Sequence, residues 1–347
     1  MQFYGITGLA HKWFSSYLDN RKQYCRVNGT TSSIENIDIG VPQGSCLGPL
    51  LFLLYINDLP FALKKAKATM YADDTAISYS SDKSEELDLV INEELSYIER
   101  WLQGNKLSLN VVKTQAMIIG SKPKIKNLKN NLSTLPSFKV GGEEINLVNE
   151  TKYLGVMIDN CLTWESHISA VQKKISRAIG LLKYARNFVQ TDTLINLYRS
   201  ITEPHFSYCC SVWGSCGASK LDVLQKLQNK AARIVTNSPF DASAAPLLQR
   251  LGWPSVQKLI NKETGSMVYK SLNSLAPQYL SDLFVRLSEV HPRELRNSKT
   301  NLAIPMLRTG NGQKSFAYRG ASLWNSLDLD TKMAPSINAF KSKLKEK

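Results

Sequence analysis

The chain has 347 residues, of which 43% are hydrophobic and 21% are charged, and its net charge is +14. This composition is typical of a folded protein of about two domains, and it excludes a wholly disordered or collagen-like chain. The charge is uneven, because residues 1–160 contain 17 basic and 17 acidic residues and the whole excess lies in residues 161–347. A neutral first half and a basic second half predict one part for chemistry and another that grips a polyanion. The alternative is a generally basic soluble protein.

The sequence contains no candidate membrane span or signal peptide. Its longest uncharged stretch, residues 39–57, is interrupted by prolines and glycines, and no basic start precedes a long apolar run at the amino terminus. The six cysteines form no C-x-x-C pair, which favours a reducing compartment. A zinc site is an alternative, but its spacing is unusual and packing is the better interpretation of His205, Cys209, Cys210 and Cys216. We therefore expect an intracellular protein that is not secreted.

An apolar run opens the predicted elements of the first half. The run C-L-G-P-L-L-F-L-L-Y-I-N-D-L-P that follows Ser45, residues 46–60, predicts a helix that is apolar all round and therefore buried, with Ser45 as its N-cap. Residues 69–79 predict two short strands on either side of an acidic turn. From Asp82 or Ser84 onwards, an apolar stripe at helical spacing predicts a helix that ends near residue 104.

Short strands are predicted between this helix and residue 160. Apolar residues alternate with polar ones at 107–111 and again at 117–119, and residues 153–158 form a further strand-like run. A pair of glycines at 141–142 predicts a hairpin. The basic tract at 121–129 is interpreted as a solvated loop, with nucleic-acid contact or a nuclear signal as the alternative.

Beyond residue 160 the hydrophobic period becomes helical. Thr163 opens one predicted helix, and a second is predicted over residues 220–235. The outer face of the first helix carries Lys173, Lys174 and Arg177, which we interpret as a grip on nucleic acid.

Asp73 and Asp74 are candidate metal ligands. An adjacent aspartate pair at a hairpin tip is by itself more typical of a turn than of an active site. The functional alternative is a magnesium site, in which carboxylates at a rigid tip hold two ions for nucleotidyl transfer. Neighbouring strand residues point to opposite faces, so the two carboxylates are not expected to be equivalent ligands.

The surrounding motifs change this interpretation. The chain carries G-V-P-Q-G-S-C-L-G-P-L-L-F at 40–52 and Y-A-D-D-T at 71–75. This pair closely resembles the reverse transcriptase palm of non-LTR (LINE-type, jockey-like) retrotransposons. Further segments resemble the same family in the same order, namely W-F-S-S-Y-L-D-N-R-K-Q at 13–23, L-S-L-N-V-V-K-T at 107–114, K-Y-L-G-V-M-I-D at 152–159 and F-A-Y-R-G-A-S-L-W-N-S-L at 316–327.

The resemblance implies a fold, an activity and partners. The fold would be α+β, with part of a palm (helices on an antiparallel sheet) over 1–160 and a helical, basic thumb and tail over 161–347. The activity would be that of an RNA-directed DNA polymerase, with an RNA template, a DNA primer and deoxynucleoside triphosphates. The cofactor would be Mg²⁺, or alternatively Mn²⁺, with Asp73 as the main ligand and Asp74 as its partner. The protein would work in a nuclear or cytoplasmic ribonucleoprotein.

The resemblance also implies roles around the metal site. Pro42, Gln43, Gly44 and Tyr71 would lie against the template base and the incoming nucleotide, where a glycine lets nucleic acid approach the backbone. Lys113 would stand near the triphosphate and protonate the leaving pyrophosphate. The structural alternatives are that Gln43 hydrogen-bonds its own loop, that Lys113 is a solvated turn residue and that Tyr71 packs under the hairpin.

One departure from the family pattern concerns the metal site. A polymerase palm has another aspartate before the G-V-P-Q-G loop, in a hydrophobic-D-x-x-x-A-F-D setting, and none of Asp19, Glu35 and Asp38 matches it. The fingers and the endonuclease region of the parent polyprotein are also not found. We therefore expect a truncated, inactive piece of the polymerase. The alternatives are a non-catalytic nucleic-acid-binding module and a decaying fragment of an element.

Overall fold

The computed structural model describes every residue except 38, 43, 131–135, 291–297 and 346–347. The described chain divides into two compact units, and neither unit is continuous in sequence. The amino-terminal unit consists of residues 1–116 and 128–147, and the carboxy-terminal unit of residues 117–127 and 148–347. Among the described residues, no helix combines the length and the apolar character needed to cross a membrane.

The first 147 residues combine helices with short strands. Their elements in chain order are α1 (Gly8–Leu18), β1 (Arg21–Gln23), β2 (Arg26–Val27), β3 (Thr30–Thr31), β4 (Glu35–Ile37), α2 (Gly48–Ile56), β5 (Lys67–Tyr71), β6 (Asp74–Ser78), α3 (Ser84–Gly104), β7 (Gln115–Ala116), α4 (Lys122–Asn130), β8 (Lys139–Val140), β9 (Glu143–Glu144) and β10 (Asn146–Leu147). The described strands pair in twos: β1–β4, β2–β3, β5–β6 and β8–β9 are antiparallel, and β7–β10 is parallel. The mixture of helices and small sheets is consistent with the α+β class.

The predicted helix over residues 46–60 is shorter than the sequence suggests, because it ends at Ile56, and it is also less buried. It begins at Gly48, whose N–H donates to Ser45 Oγ at 3.0 Å, and a proline occupies its first turn. Leu51 and Ile56 are buried, but Leu50 and Leu53 are about half exposed. The prediction that this helix is buried all round is therefore wrong, since only one side is covered.

The predicted helix that opens at Ser84 is confirmed as α3, and four other predictions need correction. Residues 117–119 form no strand, and β7 covers Gln115–Ala116 instead. Residues 107–110 form no strand, and a 3-10 helix at Val111–Lys113 follows them. The tract at 121–129 is helical, because Pro123 suits a first turn and Ile125 supplies a buried residue. The run at 153–158 is two strands, not one.

A tight turn divides that run. The strands β11 (Glu150–Tyr153) and β12 (Val156–Asp159) pair antiparallel. The turn residues Leu154 and Gly155 have φ of 44° and 81°, as a two-residue type I′ hairpin requires. A Cβ on Gly155 would also lie 3.3 Å from the ring of Tyr208. This position therefore needs glycine for its conformation and for its space.

Helices form the rest of the carboxy-terminal unit. They are α5 (Glu165–Ala185), α6 (Thr191–Ile201), α7 (Glu203–Ser207), α8 (Cys210–Trp213), α9 (Ala218–Val235), α10 (Ala244–Leu251), α11 (Val256–Leu272), α12 (Gln278–Ser281), α13 (Leu287–Val290), α14 (Gly310–Gln313), α15 (Phe316–Ser326), α16 (Leu329–Lys332) and α17 (Ile337–Lys345). One apolar cluster joins α5, α9 and α11 through Ile175, Leu224 and Ile260. A second cluster contains Trp324 and Phe340. This half has the periodic, fully buried residues that the sequence pattern predicts.

Candidate active site

The β5–β6 hairpin presents the two candidate carboxylates at its tip. Tyr71 pairs with Asp74 across the strands, so Ala72 and Asp73 form a two-residue turn. Ala72 has φ of 53°, a left-handed conformation that costs a residue with a Cβ roughly 1–2 kcal/mol. Asp73 and Asp74 are both exposed. The hairpin therefore holds two adjacent carboxylates in solvent on a strained turn, a combination that is frequent at functional sites.

A buried glutamate ties the start of this hairpin to α3. Glu94 is fully buried, and its carboxylate accepts the backbone N–H groups of Lys64 at 3.0 Å and Lys65 at 2.9 Å. The ammonium group of Lys64 lies 4.3 Å from the ring centroid of Tyr97, also on α3. These contacts fix the segment that leads into β5, and through it the position of the carboxylate tip.

The same helix holds the β8–β9 hairpin. Asn92 accepts the N–H of Lys139 at 2.9 Å and donates to the carbonyl of Ser137 at 2.8 Å. Asp88 accepts the N–H of Ser137 at 3.1 Å, and Glu99 accepts the N–H of Gly141 at 3.2 Å. Polar residues of α3 thus organise two hairpins of the amino-terminal unit.

The loop before α2 is shaped by glycines and one arginine. Gly40 and Gly44 both have φ of 81°, which favours glycine. Arg21 donates from Nη2 to the carbonyl of Gly40 at 2.6 Å. Pro42 is half-buried, and the space where a Cβ of Gly44 would point is open. Gln43 lies outside the described residues.

Lys113 lies at the end of the Val111–Lys113 turn. Asn110 caps this turn, because its side-chain oxygen accepts the N–H of Lys113 at 3.1 Å. The side chain of Lys113 is exposed. The cap fixes the backbone that carries the ammonium group and leaves the group itself in solvent.

The candidate site residues are distributed between the two units. Asp73, Asp74 and Tyr71 are brought together by strand pairing, and Pro42, Gly44 and Lys113 belong to the same amino-terminal unit. Lys173, Lys174 and Arg177 lie in the carboxy-terminal unit. Tyr71 is 67% exposed, so the expectation that it packs beneath the hairpin is wrong.

The donor set at the hairpin tip has the right chemistry for a hard divalent cation, which prefers carboxylate oxygens. Its number of donors is too small. Among the described residues, no group of three or more His, Cys, Asp or Glu side chains is placed to hold a metal ion. Asp73 and Asp74 therefore do not make a complete metal site with the other described side chains.

The basic face of α5 is displayed on a well-anchored helix. Lys173, Lys174 and Arg177 are exposed, and the opposite face buries Ile175 and Leu182 completely. The pKa values of His167 and His205 are lowered. Burial is the larger cause for both, and the positive charge of Lys174 is the second. The face thus combines exposure with a positive field, as a polyanion surface requires.

Asp159 fixes the start of α5. Its carboxylate accepts the N–H groups of Cys161 at 3.2 Å, Thr163 at 2.9 Å and Trp164 at 2.7 Å. The helix begins at Glu165, two residues after the predicted cap. The sequence did not assign these roles to Arg21, Glu94 and Asp159, because each acts by binding backbone groups. Arg21 and Asp159 do lie within the family-like segments at 13–23 and 152–159.

Comparison with known proteins identifies the class. Residues 3–158 match the family described as reverse transcriptase (RNA-dependent DNA polymerase). Three Drosophila melanogaster relatives are the probable RNA-directed DNA polymerase from transposon X-element (27% identical, over 72% of this chain and 27% of the relative), its counterpart from transposon BS (28%, 76% and 28%) and the RNA-directed DNA polymerase from mobile element jockey (26%, 83% and 30%). The chain thus spans less than a third of the length of these relatives.

Residues 3–158 are a reverse transcriptase segment. The relatives narrow the class from reverse transcriptases in general to those of transposons, because each is named as the polymerase of a transposon or mobile element. The similarity to them also continues far beyond residues 3–158. The chain is therefore similar to the reverse transcriptases of non-LTR retrotransposons over most of its length, and the resemblance drawn from its motifs is confirmed. This family uses divalent metal ions, nucleotide substrates and a nucleic-acid template.

Proposed function

We propose that the chain forms part of an RNA-directed DNA polymerase that extends a DNA primer along an RNA template. The observation that carries this proposal is the β5–β6 turn, which holds Asp73 and Asp74 in solvent within the matched reverse transcriptase segment. Residues 1–160 would be part of the palm, and residues 161–347 the thumb and tail. The enzyme would work in a nuclear or cytoplasmic ribonucleoprotein.

The proposed roles follow the placement of the side chains. Asp73 and Asp74 would supply two ligands of a Mg²⁺ or Mn²⁺ site that needs a further carboxylate to be complete. Lys113, exposed on a capped turn, would give a proton to the departing pyrophosphate. The loop at residues 42–44, together with the exposed ring of Tyr71, would position the template base and the incoming deoxynucleoside triphosphate.

A non-catalytic nucleic-acid-binding module is the second candidate. It is favoured by the exposed basic face of α5, which needs no metal site to hold phosphates. The two candidate functions predict different results in a primer-extension assay, whereas both predict nucleic-acid binding.

Primer extension distinguishes them. The chain would be assayed alone and fused behind a fingers-and-palm segment of a related element, chosen because it carries an aspartate in the hydrophobic-D-x-x-x-A-F-D setting. We expect no extension by the chain alone, because its metal site is incomplete, and extension by the fusion. In the fusion, Asp73→Asn should abolish extension, while Lys113→Ala should slow it about a hundredfold, the scale of one general acid.

The control is Glu85→Gln, which removes one exposed carboxylate from the first turn of α3 and should leave extension unchanged. A folded fusion that stays inactive, but still binds an RNA–DNA hybrid, would overturn the catalytic proposal in favour of the binding module. Extension by the chain alone that Asp73→Asn removes would show that another acid of this chain completes the site.

A further inference from the structure

The carboxy-terminal unit contains a pocket of mixed polar and apolar lining that the proposed polymerase roles leave unused. It lies among the residues between α8 and α9 and side chains of α9, α11 and α15, and its volume is about 370 Å³. That size is typical of a small-ligand site. Its lining includes a guanidinium, hydroxyls and amides, contributed by Arg319, Thr264, Ser322, Gln257 and Asn261.

Arg319 brings a charge into this pocket, and no carboxylate among the described residues forms an ion pair with it. Its Nη1 donates to the carbonyl of Ser211 at 3.2 Å, which uses one of five N–H groups. Burial lowers the pKa of Arg319, and the groups that oppose this effect are the thiols of Cys216 and Cys210. A half-buried guanidinium with spare donors is suited to receive an anion.

Thr264 gives an independent indication of a ligand. It is 2% exposed, and its hydroxyl has no hydrogen-bond partner among the described residues. Buried hydroxyls are ordinarily paired, because the unpaired group loses its bonds to water and gains nothing in return. Thr264 lines the same pocket as Arg319. An oxyanion bound there would accept a hydrogen bond from the hydroxyl and from the guanidinium.

Basic side chains act on the Cys216 wall of the pocket, and one of them, Lys220, is paired with Glu165 at 3.4 Å. Burial raises the pKa of the Cys216 thiol on the pocket wall, while Lys220, Arg319 and Lys314 act to lower it. The acidic neighbour on α11 is Glu263, and its charge acts on Cys210 and is not among the influences on Arg319. The position of Arg319 is therefore favourable for negative charge.

We propose that this pocket binds a phosphate group, held by the Arg319 guanidinium and the Thr264 hydroxyl. The proposal goes beyond the polymerase function and does not depend on the Asp73 hairpin. The same chemistry is offered by free pyrophosphate and by a phosphate at the end of a nucleic-acid strand. The pocket would give the carboxy-terminal unit a discrete phosphate site in addition to the basic face of α5.

Calorimetric titration of the full chain tests the proposal. The probes are inorganic phosphate, pyrophosphate and a short oligonucleotide with or without a 5′-phosphate. We expect Arg319→Met to weaken the binding of pyrophosphate or of the 5′-phosphate about tenfold or more, as the loss of a charge-assisted contact does. Thr264→Val keeps the shape of the side chain and should weaken it about threefold.

Arg250→Met is the matched control, because it removes one exposed arginine from α10 and should not change the affinity. Preference for pyrophosphate or for the 5′-phosphorylated strand identifies the source of the group, and both results support the site. Failure of every phosphate probe to bind the wild-type chain, or equal weakening by Arg319→Met and Arg250→Met, would overturn it. A lower melting temperature of Arg319→Met with unchanged phosphate affinity would make Arg319 structural and would also overturn it. No outcome depends on primer extension.

Discussion

Replacing Glu94 by alanine should detach the segment before β5 from α3. The carboxylate accepts the N–H groups of Lys64 and Lys65, and both lose this acceptor in the variant. Because these two residues are themselves exposed, water replaces the carboxylate in part, and the loss is about 1 kcal/mol for each bond, below the roughly 1.5–3 kcal/mol typical of hydrogen bonds to a charged group. We expect the free energy of unfolding to fall by about 2–3 kcal/mol once the small cavity is included.

Two measurements check this magnitude. Urea denaturation gives the change in unfolding free energy, and amide hydrogen exchange at Lys64 and Lys65 reports whether the segment has become mobile. The control is Glu93→Ala, which removes an adjacent carboxylate that is half exposed and pairs with Lys65 at 3.3 Å. Its effect should be much smaller, because exposed ion pairs contribute little. If Glu94→Ala and Glu93→Ala gave the same stability and the same exchange rates, the buried carboxylate would not be what positions the hairpin.

Two further predictions concern the carboxy-terminal unit. Gly155→Ala should lower stability by about 1–2 kcal/mol, because φ is positive there and the added Cβ meets a tyrosine ring. Gly180→Ala, within α5 and with open space around its Cβ, should raise stability by about 0.5–1 kcal/mol, and thermal melting of both variants checks the opposite signs. Neutralising Lys173, Lys174 and Arg177 together should reduce the slope of log K against log salt for an RNA–DNA hybrid by up to about 2–3, given a slope of about −0.9 per phosphate on B-form DNA. An unchanged slope would mean that this face of α5 is an ordinary solvated surface.

Local patterns were sufficient for the elements that depend on neighbouring residues. The apolar stripe of α3, the glycine hairpin at 141–142 and the acidic turn at Asp73 all follow from short-range spacing, and the structure has them. The reverse transcriptase class follows from motifs that are themselves short. These features are encoded within a few residues of chain, which is why periodicity and turn chemistry detect them.

The features that the sequence did not reveal depend on partners that are distant in the chain. Glu94 lies on a helix rich in charged residues, so its sequence context predicts an exposed side chain. In the structure it is fully buried, and its carboxylate binds the backbone of residues 64 and 65. The helix α2 is uniformly apolar, so its sequence cannot indicate which side remains exposed. The alternation at 107–111 predicts a strand, but no strand forms because the capped turn at Val111–Lys113 interrupts the run. In each case tertiary contacts or a local cap decided the outcome.

The interleaved composition of the two units limits how this protein can be recombined with its relatives. Residues 117–127 belong to the carboxy-terminal unit, and residues 128–147 return to the amino-terminal unit. The returning stretch carries the β8–β9 hairpin, in which the N–H groups of Lys139 and Gly141 donate to Asn92 and Glu99 of α3. A chimera joined at residue 117 would therefore combine α3 of one parent with the β8–β9 hairpin of the other. A chimera joined at residue 148 would take α3 and this hairpin from the same parent and so keep the contacts between them. Crossovers near 148 should be the ones that survive, in laboratory shuffling as in the natural exchange of segments between elements.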